Sequence, residues 1–199
     1  MHHSPLSQIQ KGWKMLLGLG IILAVLSGAL SLLFPLEYRA DASVLIVSKS
    51  RYGVDPYTVV KSAERVGENL AQVMRTDDFY KKVKAQEGYT IDWQTFDALS
   101  ERKKRKKWQK NMQGSVVFGT GVLNISAYST DPKQALDIAG ASAATLVSKG
   151  WQYVGGDVTL QVVNSPVVSE WPVRPNIIMN ALLGFLVGGL LGAFVVSRK

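Results

Sequence analysis

The chain has 199 residues and no cysteine, and its formal net charge is +8. The lack of thiols excludes disulfide cross-links and thiolate metal sites. The two histidines, His2 and His3, lie at the extreme N-terminus. Six of the positive charges come from the single run Arg102–Lys107, so the net charge describes one patch and not a uniformly basic protein.

Two long apolar runs without a charged residue lie near the two ends of the chain. Met15–Phe34 and Ile177–Val196 are each 20 residues long. At about 1.5 Å of rise per residue, a helix of this length spans about 30 Å, which is the thickness of the hydrocarbon core of a bilayer. The sequence therefore predicts two transmembrane helices, with the lipid bilayer as a partner.

Basic residues flank both runs on the side away from the middle of the chain: Lys11 and Lys14 precede the first, and Arg198 and Lys199 follow the second. Short basic flanks stay in the cytoplasm, whereas a long intervening segment is translocated largely regardless of its charge. We therefore expect an inner (plasma) membrane protein with both termini cytoplasmic and its main domain periplasmic or extracellular. The expected organisation is a cytoplasmic N-terminus at 1–12, transmembrane helices at 13–34 and 177–196, an extracytoplasmic domain at 35–176 and a cytoplasmic tail at 197–199.

An alternative makes the first run a cleaved signal peptide, with Ala40-Asp41-Ala42 as the small-residue cleavage site. A retained helix is favoured because the run is longer than the 7–15 apolar residues of a signal core. The charges of Glu37 and Arg39, just before the site, also argue against cleavage.

The first half of the middle domain is predicted to fold as a strand followed by three helical segments. Tyr38–Val47 becomes β-branched and apolar toward its end, as strands do. Asp55-Pro56 opens the first helix, because Asp is a good N-cap and Pro suits the first helical position. A second helix is capped by Thr76 and ended by Gly88, and a third extends from about Gln94 to Met112. In the first helix the predicted buried stripe is Val59, Ala63, Val66, Leu70 and Val73, and the predicted solvent face is Lys61, Glu64, Arg65 and Glu68.

The second half is predicted to contain a hairpin, one helix and a last strand. Ser115–Phe118 and Val122–Ser129 form the hairpin, with Leu123, Ile125 and Ala127 on one face. Asp131-Pro132 caps a helix whose stripe is rich in small residues and which Gly155-Gly156 ends. Asp157–Asn164 alternates as the last strand. The order predicts one α+β domain, a small mixed sheet with helices on one face, in which the first and last strands pair beside the membrane. The small-residue stripe consists of Ala135, Ala139, Ser142 and Leu146.

A proline-rich segment, residues 165–175, precedes the second apolar run. Its prolines prevent a regular helix or a central strand and favour extended backbone. An aromatic residue and a cation at this place suit the headgroup layer of a membrane. The segment is a stiff coupler between domain and helix, a plain interfacial anchor, or both. Its candidate residues are Pro166, Trp171, Pro172, Arg174 and Pro175.

Small residues recur at a spacing of four in both apolar runs, which lets helix backbones approach closely in lipid. The sequence leaves open whether the packing partner is the other span, a second copy or another protein. Asn180, one turn inside the second run, is expected to make a simple hydrogen bond. The candidate packing residues are Gly20, Ala24 and Gly28 in the first run and Gly184, Gly188 and Gly192 in the second.

The basic run is followed by Trp108, which is interpreted as a stacking or interfacial residue. The run either binds an acidic glycan or anionic headgroups, or is a solvated helix face that meets an acidic surface on a neighbouring subunit. Nucleic acid is not expected as a partner, because the topology places the run outside the cell interior. The run consists of Arg102, Lys103, Lys104, Arg105, Lys106 and Lys107.

Nothing in the sequence points to catalysis, a metal or a cofactor, so a non-enzymatic protein is expected. The acids show no paired spacing with an acid/base partner, and no cluster has metal-ligand spacing. Asp55 and Asp131 are interpreted as helix N-caps.

Four features in this order resemble the Wzz family of polysaccharide co-polymerases, the chain-length determinant proteins. They are a basic N-terminus before a first span, the strand YRADASVLIV after it, a DPxxA helix at Asp131–Ala135, and a proline-rich segment before a second span with Gly184-x-x-x-Gly188. Two features depart from the family: no long helical arm separates the DPxxA helix from the last strand, and no kinase phosphate loop GxxxxGK[ST] is present.

The resemblance implies a non-enzymatic scaffold that regulates the chain length or export of a surface polysaccharide. Such a scaffold is a ring-like homo-oligomer that partners a polymerase or the growing glycan. One alternative is an adaptor for a separate cytoplasmic tyrosine kinase, against which the three residues after the second span argue. Another is a membrane-anchored module that binds an envelope glycan.

Overall fold

The computed structural model describes residues 12–48, 55–155 and 158–197. The predictions for His2, His3, Lys11, Gly156, Asp157, Arg198 and Lys199 lie outside these residues. The chain divides into two compact units, one formed by residues 37–172 and the other by residues up to 36 together with 173–199.

The unit formed by the two ends of the chain is a pair of apolar helices, α1 (Trp13–Ser31) and α8 (Ile177–Ser197). Both are long and apolar enough to cross a membrane, by length and composition. Most of their side chains face outward, as Leu190 and Ile178 do with 72% and 83% of their surface exposed. An exposed apolar surface of this extent is typical of a contact with a membrane or with another protein.

The second unit contains the following elements in chain order. Strand β1 (Tyr38–Ser48) is followed by the helices α2 (Pro56–Val73), α3 (Asp77–Lys84), α4 (Gln94–Asp97) and α5 (Glu101–Asn111). The hairpin of β2 (Met112–Val116) and β3 (Val122–Ser129), the helices α6 (Pro132–Lys149) and α7 (Trp151–Val154), and the strand β4 (Val158–Val168) complete it.

The described strands form one sheet in the order β2-β3-β1-β4. Every pair is antiparallel, so the expectation of a mixed sheet was wrong. The predicted pairing of the first and last strands is confirmed: Ala40 pairs with Val168, and Ile46 pairs with Leu160. Because the strands are antiparallel, the domain begins and ends at the same end of the sheet.

Helices α2 and α6 cover one face of this sheet, as the alternation of side chains predicts. Leu123, Ile125 and Ala127 are fully buried on this face. A Cβ on Gly67 of α2 would lie only 2.8 Å from Val116 of β2, so α2 approaches the sheet closely at that glycine. The predicted small-residue stripe of α6 is fully buried: Ala135, Ala139, Ser142 and Leu146.

The three predicted N-caps are confirmed by their hydrogen bonds. The carboxylate of Asp55 accepts from the backbone N–H of Thr58, and that of Asp131 accepts from the N–H of Lys133. The hydroxyl of Thr76 accepts from the N–H of Phe79. Each cap satisfies a backbone donor that the first turn of a helix leaves unpaired.

Several predicted ends of elements were wrong. The third helical segment is broken between Asp97 and Glu101. Helix α3 ends at Lys84, before Gly88, and α6 ends at Lys149, before Gly155. Strand β2 begins at Met112 and ends at Val116, whereas Ser115–Phe118 was expected. Strand β4 continues to Val168 and therefore includes Pro166, which an edge strand tolerates.

Candidate functional site

The two apolar helices contact each other through the glycines that the sequence singled out. A Cβ on Gly188 would lie 2.7 Å from the Cα of Gly20 and 2.5 Å from the carbonyl oxygen of Leu19. These distances are shorter than a real Cβ contact, so only glycine allows the two backbones to come this close. The structure thus places the partner of this stripe in the other helix of the same chain.

The same close approach extends along α8 in steps of four residues. A Cβ on Gly184 would lie 2.5 Å from the carbonyl oxygen of Leu23, and one on Gly192 would lie 2.9 Å from the Cα of Leu16. The contact loosens at Gly28, where a Cβ would find its nearest atoms 3.9 Å away. Ala24 is partly buried. Gly184 and Gly192 of α8 therefore leave no room for a side chain, whereas Gly28 near the C-terminal end of α1 does.

Three polar residues connect the two helices near this looser end. The Nδ2 of Asn180 donates to the Oγ of Ser31 over 2.8 Å, and the Oγ of Ser27 donates to the carbonyl oxygen of Asn180 over 2.8 Å. Ser31 in turn donates to the carbonyl oxygen of Ser27. The expectation of a hydrogen bond at Asn180 is confirmed, but neither serine had been predicted to take part. Their signal was their spacing, since Ser27 and Ser31 continue the small residues Gly20 and Ala24 at steps of three and four.

The proline-rich segment is not uniform in structure. Pro166 lies within β4, and its ring is near Gly140 of α6, where a Cβ would lie 3.2 Å from the Pro166 Cγ. Trp171 is 78% exposed, and Pro172 and Arg174 are partly buried. The peptide bond between Arg174 and Pro175 is cis. Only the part after Val168 therefore lacks regular structure and leads toward α8.

Trp108 is not a surface residue. Only 1% of its surface is exposed, and its indole N–H donates to the carbonyl oxygen of Met74 over 2.9 Å. Its ring belongs to an aromatic cluster with Tyr80, Trp93 and Phe96, whose ring centroids lie 5.2–6.5 Å apart. The interpretation of Trp108 as a stacking or interfacial residue was wrong, because the aromatic cluster buries its side chain. Through this cluster Trp108 packs α5 against the rest of the domain.

The cations of the basic run differ in their surroundings. Lys104 pairs with Glu101 over 2.9 Å, and Lys107 donates to the carbonyl oxygen of Thr95 and lies over the ring of Phe96. The other four have no carboxylate within 4.0 Å in the part of the chain that the structure describes, and all four are exposed. These four residues are Arg102, Lys103, Arg105 and Lys106.

A hydrogen-bonded triad connects α7 to α3. The Tyr153 hydroxyl donates to Asp78 over 2.5 Å, and the Lys82 ammonium donates to both partners over 2.9 Å. The hydrogen bond from Tyr153, and then that from Lys82, lowers the pKa of Asp78. Desolvation by burial raises the pKa of Tyr153. The Lys82 ammonium therefore neutralises the Asp78 carboxylate, and no sequence pattern had indicated a role for Tyr153.

The sheet face that α2 and α6 leave uncovered carries two small groups of hydrogen-bonded polar side chains. The Ser43 hydroxyl donates to Asn124 over 2.9 Å and accepts from Asn164 over 3.3 Å. Asp41 accepts from Ser126 over 2.6 Å and from Arg39 over 2.8 Å. These hydrogen bonds link neighbouring strands across the face and fix its side chains.

Within the described residues, no group of three or more His, Cys, Asp or Glu side chains is placed to hold a metal ion. No protein-family model matches the chain, and no curated protein matches it significantly. Fold and site therefore define the chain at a coarse level, as an α+β domain whose chain contains two helices able to span a membrane.

Proposed function

We propose that this protein is a non-enzymatic, oligomeric inner-membrane scaffold that regulates the chain length or export of a surface polysaccharide. The observation that carries the proposal is the antiparallel pairing of β1 and β4, which brings the two ends of the domain together. Residues 32–37 and 169–176 connect these ends to the apolar helices. A domain tethered at one end by both of its termini is suited to stand side by side with identical copies at a membrane.

Retention of the first apolar helix is supported by the position of the alternative cleavage site. Ala40 and Ala42 are buried in β1, which is a central strand between β3 and β4. Cleavage there would remove the strand residues that pair with Ser129 and Val168. Loss of central-strand pairing would expose the core, so a retained helix agrees better with a folded domain.

The polysaccharide part of the proposal is supported by the resemblance of four ordered features to the Wzz co-polymerases. The topology, with both termini in the cytoplasm and the domain outside, is supported by the basic residues that flank the two helices. A ring of copies requires head-to-tail contacts between different surfaces of neighbouring domains. The exposed cations of α5 are candidates for one of these surfaces.

The experiment is gel analysis of surface polysaccharide from a deletion strain, combined with the mass of the full-length particle in a neutral detergent. A scaffold of this class should change the length distribution when deleted, and the purified particle should contain several copies. A deletion that leaves the length distribution unchanged would favour a plain glycan-binding module. A monomeric particle would contradict the scaffold, and co-purification of a cytoplasmic tyrosine kinase would favour the adaptor.

A further inference from the structure

A shallow, open groove lies on one side of the domain, between the end of α2, the start of α3, helix α5 and the strand β2. Its larger part has a volume of about 620 Å³ and is lined entirely by polar and charged side chains, among them Arg75 and Arg105. A smaller part of about 250 Å³ is lined by Gln113 and Ser115 of β2. Gln72 and Arg75 line both parts, so the two parts adjoin at these residues.

The unneutralised charge in this groove is positive. Its two acids are engaged outside it, since Asp77 pairs with Lys81 over 2.7 Å and Asp78 pairs with Lys82 over 2.9 Å. Arg75 and Arg105 have no such carboxylate within 4.0 Å among the residues that the structure describes. A guanidinium presents a planar fork of donors that matches a carboxylate or a phosphate, so two of them in one groove select an anionic ligand.

The remaining lining groups suit a ligand rich in hydroxyls. The side chains of Gln72 and Gln109 make no hydrogen bond to any described residue, and Gln113 accepts only from the Tyr128 hydroxyl over 3.2 Å. Primary amides both donate and accept, as the hydroxyls of a sugar do. No aliphatic or aromatic side chain lines the larger part of the groove, so it holds no ring on which bases would stack.

We propose that this groove binds a segment of an acidic polysaccharide, with Arg75 and Arg105 engaging its carboxylate or phosphate groups and Gln72, Gln109 and Gln113 its hydroxyls. The choice of a polysaccharide over another polar anion rests on the proposed function. The volume of the larger part, about 620 Å³, lies within the 300–1,000 Å³ or so that is typical of ligand pockets. Of the cations in the basic run, only Arg105 lines the larger part of the groove and is given a role in binding.

The test is calorimetric binding of tetragalacturonate to the full-length protein in a neutral detergent, with uncharged maltotetraose as the reference ligand. The variant Arg75→Gln/Arg105→Gln removes both groove cations. Its matched control, Lys103→Gln/Lys106→Gln, removes two exposed cations of α5 that do not line the groove. We expect the groove variant to weaken tetragalacturonate binding at least tenfold and the control to change it less than twofold, with circular dichroism showing both to be folded.

Three results would overturn the inference. The first is equal weakening of binding by both variants, which would indicate unspecific attraction to a basic surface. The second is no binding of tetragalacturonate by the wild-type protein. The third is arginine-dependent binding to phosphatidylglycerol vesicles without binding to the saccharide. The proposed function is tested by a different outcome: it fails if deletion of the protein leaves the length of the surface polysaccharide unchanged. Deletion of the protein can alter the length distribution of the polysaccharide while the groove variant still binds tetragalacturonate as tightly as the wild type and leaves that distribution unchanged. In that case only the groove inference fails.

Discussion

Gly188 and Gly20 face each other across the two apolar helices so closely that a Cβ on Gly188 would lie 2.7 Å from the Cα of Gly20. In lipid, helices associate through such close packing, since apolar burial supplies no driving force there. A branched side chain at this position must push the two backbones apart. The packing of the helix pair therefore depends on the absence of a side chain at Gly188, as it does at Gly184 and Gly192.

We predict that Gly188→Ile destabilises the helix pair by about 2 kcal/mol or more, the upper part of the range for overpacking. The measurement is the unfolding of the detergent-solubilised protein during titration with SDS. Gly189→Ile is a matched control, because a Cβ on the neighbouring Gly189 meets no atom within 4 Å. Equal effects of the two substitutions would show that the contact with Gly20 is not the cause.

The hydrogen bond from Asn180 to Ser31 predicts a measurable coupling between the helices. Polar pairs between membrane helices contribute about 0.6 kcal/mol on average and up to about 1.7 kcal/mol. Because this pair is linked to Ser27 as well, we expect a coupling in the upper half of that range. A double-mutant cycle with Asn180→Ala and Ser31→Ala in the same SDS titration measures it. Additive single effects would contradict a direct interaction.

The parts of this fold that could be predicted from sequence are those set by neighbouring residues. The caps at Asp55 and Asp131 depend only on bonds to the following two or three residues, and they were predicted correctly. The alternation Leu123, Ile125, Ala127 depends only on the pleat of one strand. The strand directions depend on how chain segments far apart in sequence meet, and no local pattern reports them.

The break after Asp97 shows why the candidate site was harder to predict. Phe96 and Trp108 are twelve residues apart, so in a continuous helix they would be separated by about 18 Å along the axis. Their ring centroids lie 6.2 Å apart, because the helix is interrupted between α4 and α5 and both rings enter one cluster. The cluster draws on three separate segments, so the burial of Trp108 could not be read from the lysines around it.

Trp108→Ala should destabilise the domain by about 3–5 kcal/mol, as truncation of a buried aromatic residue does. Trp108→Phe keeps most of the ring but removes the donor to Met74, and should cost about 1–3 kcal/mol through the unsatisfied carbonyl. Thermal unfolding followed by tryptophan fluorescence and circular dichroism measures both. The exposed Trp171 provides the control, since Trp171→Ala should stay within about 0.5 kcal/mol of the wild type. A nearly neutral Trp108→Ala would restore the surface interpretation of this residue.

Glu64 provides a pH-dependent contribution to stability that the amphipathic pattern of α2 did not indicate. It was assigned to the solvent face, yet only 7% of its surface is exposed, and its carboxylate accepts from Lys61 over 2.9 Å and from the backbone N–H of Gly119. The hydrogen bond from Lys61, followed by that from Gly119, lowers the pKa of Glu64 below its ordinary value of 4.5. The carboxylate thereby holds the β2–β3 turn against α2.

A carboxyl whose pKa is lowered by folding contributes stability that is fully present above its unfolded pKa and is lost as the pH falls through its folded pKa. We therefore expect the free energy of unfolding to decrease as the pH drops from about 5 to below the ordinary carboxyl range, and Glu64→Gln to flatten part of this decrease. Urea unfolding of the detergent-solubilised protein at pH 7, 5 and 3.5 measures the slope. Glu68→Gln removes an exposed carboxylate from the same helix and controls for the change in net charge. If both variants keep the wild-type slope, the Glu64–Gly119 contact does not contribute to acid sensitivity.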